Sequence, residues 1–202
     1  MRIQRLLLLA LWVTFACRSE EKVTSTDTVS TSGTETTGTT SKTSTGSSGG
    51  TVSSLNAEEK AFFVSAAEAN LGEIALGRMA ADKATNAAVG KFAAQMMNDH
   101  GRANEELKLL ALKKGVALPA VVNKGQAKSA RELTKKVGRD FDASYMAEMI
   151  RGHETVVKSF ESASASTNDP DLKSWIVKTL PTLQNHLAMA KNVEAGLSRP
   201  SS

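Results

Sequence analysis

The sequence predicts an all-α protein: a bundle of four long helices, with a short extra helix in the connection between the second and third. Three observations carry that reading. Apolar residues recur three and four apart through four segments of about 25 residues each. Those segments begin and end on Asn, Asp, Gly and Pro, the residues that start and stop helices. No run alternates apolar and polar residues with the period of two that a strand requires. Four amphipathic helices bury their stripes by packing on one another.

The first helix is expected to start at Asn56, whose side chain can cap while Glu59 reaches back. It runs to about Lys83, with apolar rows at Phe63, Ala67, Ile74 and Ala81 and at Val64, Leu71 and Ala75. Asn86 caps the second, which carries Val89, Phe92, Met96, Ala103, Leu107 and Leu110. It ends at Lys113-Lys114-Gly115, cations and a glycine where a C-terminus favours them. Val116 to Gly125, containing Pro119, is the connection, and a short helix from Gln126 to Lys136 follows before Gly138 breaks it. The third long helix spans about Asp140 to Ser166, with Tyr145, Met149, Val156, Phe160 and Ala163 in its stripe. Asn168-Asp169-Pro170 then gives a cap and a proline at the first helical position. The fourth carries Leu172, Ile176, Leu183, Leu187, Ala190 and Val193. Pro181 within it frees the Val177 carbonyl and predicts a kink one turn before His186. Short links make two antiparallel hairpins, and the middle connection is either an ordinary loop or a crossover.

The N-terminal residues read as an export signal over 1–16. Arg2 and Arg5 precede an apolar run, Leu6 to Ala16, which is shorter than the roughly 20 residues that span a bilayer. Cys17, the only cysteine, follows at once. A small residue and then cysteine at this place resembles the bacterial lipoprotein signal, which implies a lipidated Cys17 and a membrane anchor. The plainer alternative is secretion with an incidental cysteine. By the same resemblance Arg18, where Asp would retain the protein in the inner membrane, favours the outer membrane, facing the periplasm or the cell surface. No intramolecular disulfide can form. Residues 17–54 hold the lipidation site and a tether. Between Val23 and Ser54, 26 of 32 residues are Thr, Ser or Gly, too polar to bury a core, so a disordered spacer is expected.

Residues 55–202 form one helical domain, large enough for a single core. They carry 20 Lys and Arg against 17 Asp and Glu, scattered along helix faces. Without a basic patch, nucleic acid is not an expected partner; protein partners are not indicated.

The chain has only three histidines, His100, His153 and His186, each near the middle of a different predicted helix. Counted from the hairpin turns, His100 is 15 residues from position 85 and Glu73 is 12, while Glu68 is 17 away. His153 is 15 and His186 is 18 residues from position 168. At about 1.5 Å per residue these groups share one level to within roughly two helical turns. Each histidine also has apolar neighbours on its own face, and a buried imidazole needs a partner: a metal, a carboxylate or a water. Di-iron bundles require Glu-x-x-His pairs, but Gln95 and Glu148 each stand five residues before their histidine, so that centre is excluded. Three histidines with Glu73 or Glu68 instead suit a single divalent ion such as Zn, Cu or Mn. Met96, Met149 and Met189 invite a Cu(I) reading but fall at unequal levels, as core filler does. Asp99 points about 100° away from His100 around the helix and is not an obvious orienting partner. No nucleophile–base pair and no glycine-rich phosphate loop stands out, so nothing in the sequence argues for an enzyme.

The segments Asn70 to Gly77 and Ala94 to His100, Phe141-Asp142 with Tyr145, His153, and Thr179 to Leu183 occur in order over about Glu58 to Val193. In these the chain resembles a bacterial envelope family, domain of unknown function 4142, whose members are often labelled exported or outer-membrane proteins. The resemblance implies a ferritin-like four-helix bundle, with histidines at His100, His153 and His186 and a glutamate at Glu73. It implies no activity. Two readings therefore stand: a lipid-anchored bundle that binds a metal ion or small ligand at mid-bundle, or a structural or stress-related envelope module whose histidines form a buried polar network. A third, an enzyme with a metal-activated water, needs an open coordination position.

Overall fold

The computed structural model describes residues 54–198. The expected signal peptide, Cys17 and all but the last residue of the tether lie outside the described residues. Helices are the regular structure of the described residues: α1 (Ala57–Lys83), α2 (Ala87–Lys114), α3 (Lys124–Thr134), α4 (Gly138–Ser166) and α5 (Pro170–Leu197). Among them, no helix is long and apolar enough to cross a membrane.

The boundaries follow local chemistry. Asn56 and Glu59 exchange both bonds of a capping box at the start of α1, and Asn123 and Gln126 do the same for α3. Asn86 and Asp169 cap α2 and α5, with Pro170 at the first position of α5. Gly115 closes α2 in the left-handed region at φ 67°, which a side chain would strain. Gly138 also adopts positive φ, but it opens α4 where a break alone was expected. Helix α5 continues through Pro181 to Leu197.

Each long helix packs on two others, so that the order around the bundle is α1, α2, α5, α4. The two hairpin turns lie at opposite ends. At one end Asp142, at the start of α4, accepts hydrogen bonds from the Thr85 hydroxyl at 2.6 Å and from the amides of Thr85 and Asn86. At the other, Glu59 accepts from the Thr167 hydroxyl at 2.7 Å and from the amides of Asn168 and Asp169. There too Lys114 pairs with Asp169 at 2.5 Å and Asp171 at 2.8 Å. The middle connection must therefore return along the whole bundle. It is a crossover, with α3 laid against α1 and α4 and tied to α1 through Asn123–Glu68 at its start and Lys83–Thr134 at its end.

The core is in two parts. Phe62, Phe63, Leu107, Phe160, Trp175 and Ile176 belong to one apolar cluster. Phe92, Met96, Phe141, Tyr145, Met146 and Met149 belong to the other. Along every long helix, the residues of one cluster are separated from those of the other by about two to three turns, and there the buried side chains are polar. On α1 this corrects the expected stripe: Ala81 is exposed and Ile74, Leu71, Val64 and Ala75 are half-buried, while Asn70 and Glu73 turn inward. Helix α1 is apolar on several sides, so hydrophobicity alone does not orient it.

Candidate metal centre

The polar layer holds Asn70 and Glu73 from α1, His100 and Asn104 from α2, His153 from α4 and His186 from α5, all buried. The three imidazoles form a nearly equilateral triangle, with ring centroids 5.3 to 5.5 Å apart. One ligand atom from each lies within 4.8 Å of the others. Metal–nitrogen bonds of about 2.0–2.1 Å would need these atoms about 3.3–3.6 Å apart, within reach of small ring rotations.

Each ring is anchored by one nitrogen. His100 Nδ1 donates to Asn70 Oδ1 at 3.0 Å. His153 Nδ1 donates to the Met149 carbonyl one turn earlier in α4 at 2.9 Å. His186 Nε2 donates to Asp99 Oδ2 at 2.9 Å, across from α5 to α2. A neutral imidazole has one N–H, so these acceptors fix the tautomer of each ring and leave a lone pair on His100 Nε2, His153 Nε2 and His186 Nδ1. Those three atoms are buried and have no hydrogen-bond partner among the described residues. Three buried lone pairs with no donor are costly unless a cation accepts them. Imidazole ligands held through the other ring nitrogen by a carboxylate, carbonyl or amide oxygen are the usual construction around a bound metal.

The electrostatics keep the rings neutral. Burial, then the neighbouring imidazoles, push His100 down to about 3. Burial pushes His153 down to about 4 against the Met149 hydrogen bond, and it lowers His186 against the pull of Asp99. The rings therefore stay deprotonated and able to ligate at neutral pH.

Of the carboxylates named from sequence, Glu73 reaches the layer and Glu68 does not. Glu68 Oε2 accepts from Asn123 at 3.0 Å, out at the start of α3. Glu73 Oε1 stands 3.8 Å from His153 Nδ1, the nitrogen already bonded to Met149, and so lies behind the ring and not beside its lone pair. Burial without a partner for Oε2 pushes the Glu73 carboxyl up to about 8. Tyr145, whose hydroxyl is also buried and unpartnered, is held protonated above its ordinary range by burial and then by Glu73. Met96 and Met149 are fully buried in the apolar cluster on one side of the layer.

Sequence reasoning missed Asp99 and Asn70 as anchors of the rings. Asp99 points away from its sequence neighbour His100, and its partner, His186, is on another helix. A polar residue at an apolar-stripe position of α1 was the one available signal for Asn70.

The family model described as "Domain of unknown function (DUF4142)" matches residues 45–193. The chain belongs to this family. Among curated proteins none matches it. Among solved structures the DUF4142 chain is similar to CopM in its Cu(II)-bound form, with a TM-score of 0.59 at 17% identity, covering 68% of this chain and 96% of that one. CopM in its Cu(I)-bound form gives a TM-score of 0.60 at 17% identity, covering 70% and 98%. A DUF305 fragment from Deinococcus radiodurans gives 0.62 at 11% identity, covering 70% and 97%. At these identities the likeness establishes a shared helical fold.

Proposed function

We propose that this DUF4142 protein binds a single copper ion on His100 Nε2, His153 Nε2 and His186 Nδ1. The observation that carries the reading is the set of three buried, neutral imidazoles, with ring centroids 5.3 to 5.5 Å apart, each keeping one unpartnered nitrogen while its other nitrogen is anchored. Copper is favoured over the other candidates by the donors. Manganese prefers carboxylate and other oxygen ligands, and here the nearest carboxyl, Glu73, stands behind His153. A closed zinc site takes four protein ligands, whereas the three offered here would leave zinc's fourth position to water. Copper stands highest in affinity for nitrogen ligands among the divalent series. Two of the solved structures that share this fold are copper-bound forms of CopM, which supports the same choice.

In this reading Asn70, the Met149 carbonyl and Asp99 orient the ligands, and the two apolar clusters exclude water from either side of the ion. The bound ion would supply a redox-active cation held in an all-nitrogen site. Export and a lipid anchor at Cys17, with the domain on a tether in the bacterial envelope, belong to the same proposal and rest on the N-terminal sequence. Replacement Cys17→Ser is expected to move the protein from the membrane to the soluble fraction.

The test is metal uptake by the full-length chain and by a variant with all three histidines replaced by alanine. Each is incubated with Cu(II), with Cu(I) under reducing anaerobic conditions, and with Zn(II), then desalted and analysed for metal. Copper bound at one ion per chain, and lost in the variant, is the expected result. Wild-type protein that retains no copper would sink the proposal, and retention of neither copper nor zinc would leave the histidines as a buried polar network.

A further inference from the structure

A cavity of about 530 Å³ opens between α1, α3 and α4, on the Glu73 side of the histidine layer. Its wall includes Gly72 and Glu73 of α1, Gln126 of α3, and Met149, Gly152 and Thr155 of α4. Two of these touch the trio's surroundings: Met149 accepts from His153, and Glu73 Oε1 lies 3.8 Å from the same ring. The cavity is shaped by two glycines. A Cβ on Gly72 would fall 2.5 Å from Gln126 Nε2, whose side chain lies across α1 and donates to the Glu68 carbonyl at 2.6 Å. A Cβ on Gly152 would fall 3.2 Å from Glu73 Oε1. Both side chains therefore rest against bare helix backbone, one over the cavity and one at its inner end. Glu73 Oε2 is buried there without a partner among the described residues.

We propose that this cavity is the passage by which a cation from solvent reaches the histidine trio, with the Glu73 carboxyl as the transfer ligand at its inner end. The inference rests on the metal-binding reading above and adds to it a route and a residue. A carboxyl behind His153 can take a cation from water and release it to the imidazole lone pairs without joining the final set. The crossover helix α3 then has a role beyond linkage: it forms the outer wall of the passage. A second groove, between α1, α2 and residues 120–122, approaches the layer near Gly101 and Asn104 and provides the control.

The experiment uses the full-length chain and two readouts. Thr155 is exposed at the cavity rim, so Thr155→Trp can plug the mouth without disturbing the core. Lys108→Trp places the same bulk at the α1–α2 groove. The first readout needs no metal: the chain's three histidines are all in the layer, so their carbethoxylation by diethylpyrocarbonate, followed by mass spectrometry, reports access to it. The second is the rate of copper uptake and of copper removal by a chelator. Thr155→Trp is expected to slow modification, uptake and removal by roughly ten-fold each, about 1.4 kcal/mol on the barrier. Lys108→Trp is expected to change none of them. Glu73→Gln, which keeps the shape but has no carboxyl proton to give up to an arriving cation, is expected to slow copper transfer but not carbethoxylation. Unchanged rates in Thr155→Trp, or slowing by Lys108→Trp instead, would overturn the passage. The carbethoxylation result decides the route even if wild-type protein takes up no copper, so the two proposals fail separately.

Discussion

Asp99 Oδ2 on α2 accepts a 2.9 Å hydrogen bond from His186 Nε2 on α5, while its other oxygen is paired with Arg102 at 2.7 Å. One carboxylate thus fixes the tautomer of a ligand candidate on a neighbouring helix and is itself held from its own. Replacing Asp99 by Ala frees the ring to bond elsewhere through either nitrogen. Loss of such an anchor commonly weakens metal binding by about 10–100-fold. Competition titration against a chelator should show that loss with the fold intact by circular dichroism. An unchanged dissociation constant would mean that packing alone orients His186.

The metal-free protein should be most stable near pH 6.5. His100 and His153, pushed down to about 3 and about 4, stay neutral in the fold while the unfolded chain takes up protons below about 6.5. Stability therefore falls as pH drops from about 6.5 toward 4, with a slope of up to about 1.4 kcal/mol per pH unit for each ring. Glu73, pushed up to about 8, acts in the opposite sense: it stays protonated in the fold while the unfolded chain has lost its proton above about 4.5. Its contribution is lost as pH rises toward 8. Thermal melts should peak between these limits, and Glu73→Gln should remove the alkaline fall and keep the acid one.

An ion that binds only the folded state stabilises it by mass action. At free copper 100 times the dissociation constant the gain is about 2.7 kcal/mol. For a domain of this size that is a rise of roughly 5–10 °C in Tm. Calorimetry with and without chelator should show the rise in wild type and none in the triple histidine variant. The rise should persist to about pH 5, because His100 and His153 stay neutral in the fold until about 3 and about 4, and should be lost below that range, since protonated rings cannot ligate.

Glu59 joins the start of α1 to the α4–α5 turn. Oε2 accepts from the Asn56 amide at 2.9 Å, and Oε1 accepts from Thr167 and from the amides of Asn168 and Asp169. Replacing it by Ala removes a cap and leaves buried donors unpaired, a loss of about 2–4 kcal/mol in denaturant unfolding. Copper affinity should be unchanged, because the layer is several turns away. A joint loss of stability and affinity would mean that the bundle end and the centre are coupled.

Much of the fold was legible because its signals are local. The caps at Asn56, Asn86 and Asp169, the αL glycine after Lys114 and the proline opening α5 each act through neighbours within four residues. Those interactions form with little help from the rest of the molecule, so spacing along the chain reveals them. The shared level of the histidines was legible for a related reason: a residue near the middle of a helix stays near mid-bundle whichever way the helix runs. The shared level therefore holds although the two turns lie at opposite ends of the bundle.

What the sequence determined by itself was the number and extent of the helices, and that three imidazoles would be buried at one height. Only the tertiary structure decided the crossover, the inward turn of Asn70 and Glu73, the exclusion of Glu68, and the pairing of Asp99 with His186. The physical reason is the range of the interactions. Helix caps act within one turn of one helix. By contrast, the rotation of a helix that is apolar on several sides, and the choice of partner across a bundle, are set by packing between residues dozens of positions apart. The site's ring orientations belong to that second kind, since Asn70 and Asp99 each hold a histidine on another helix.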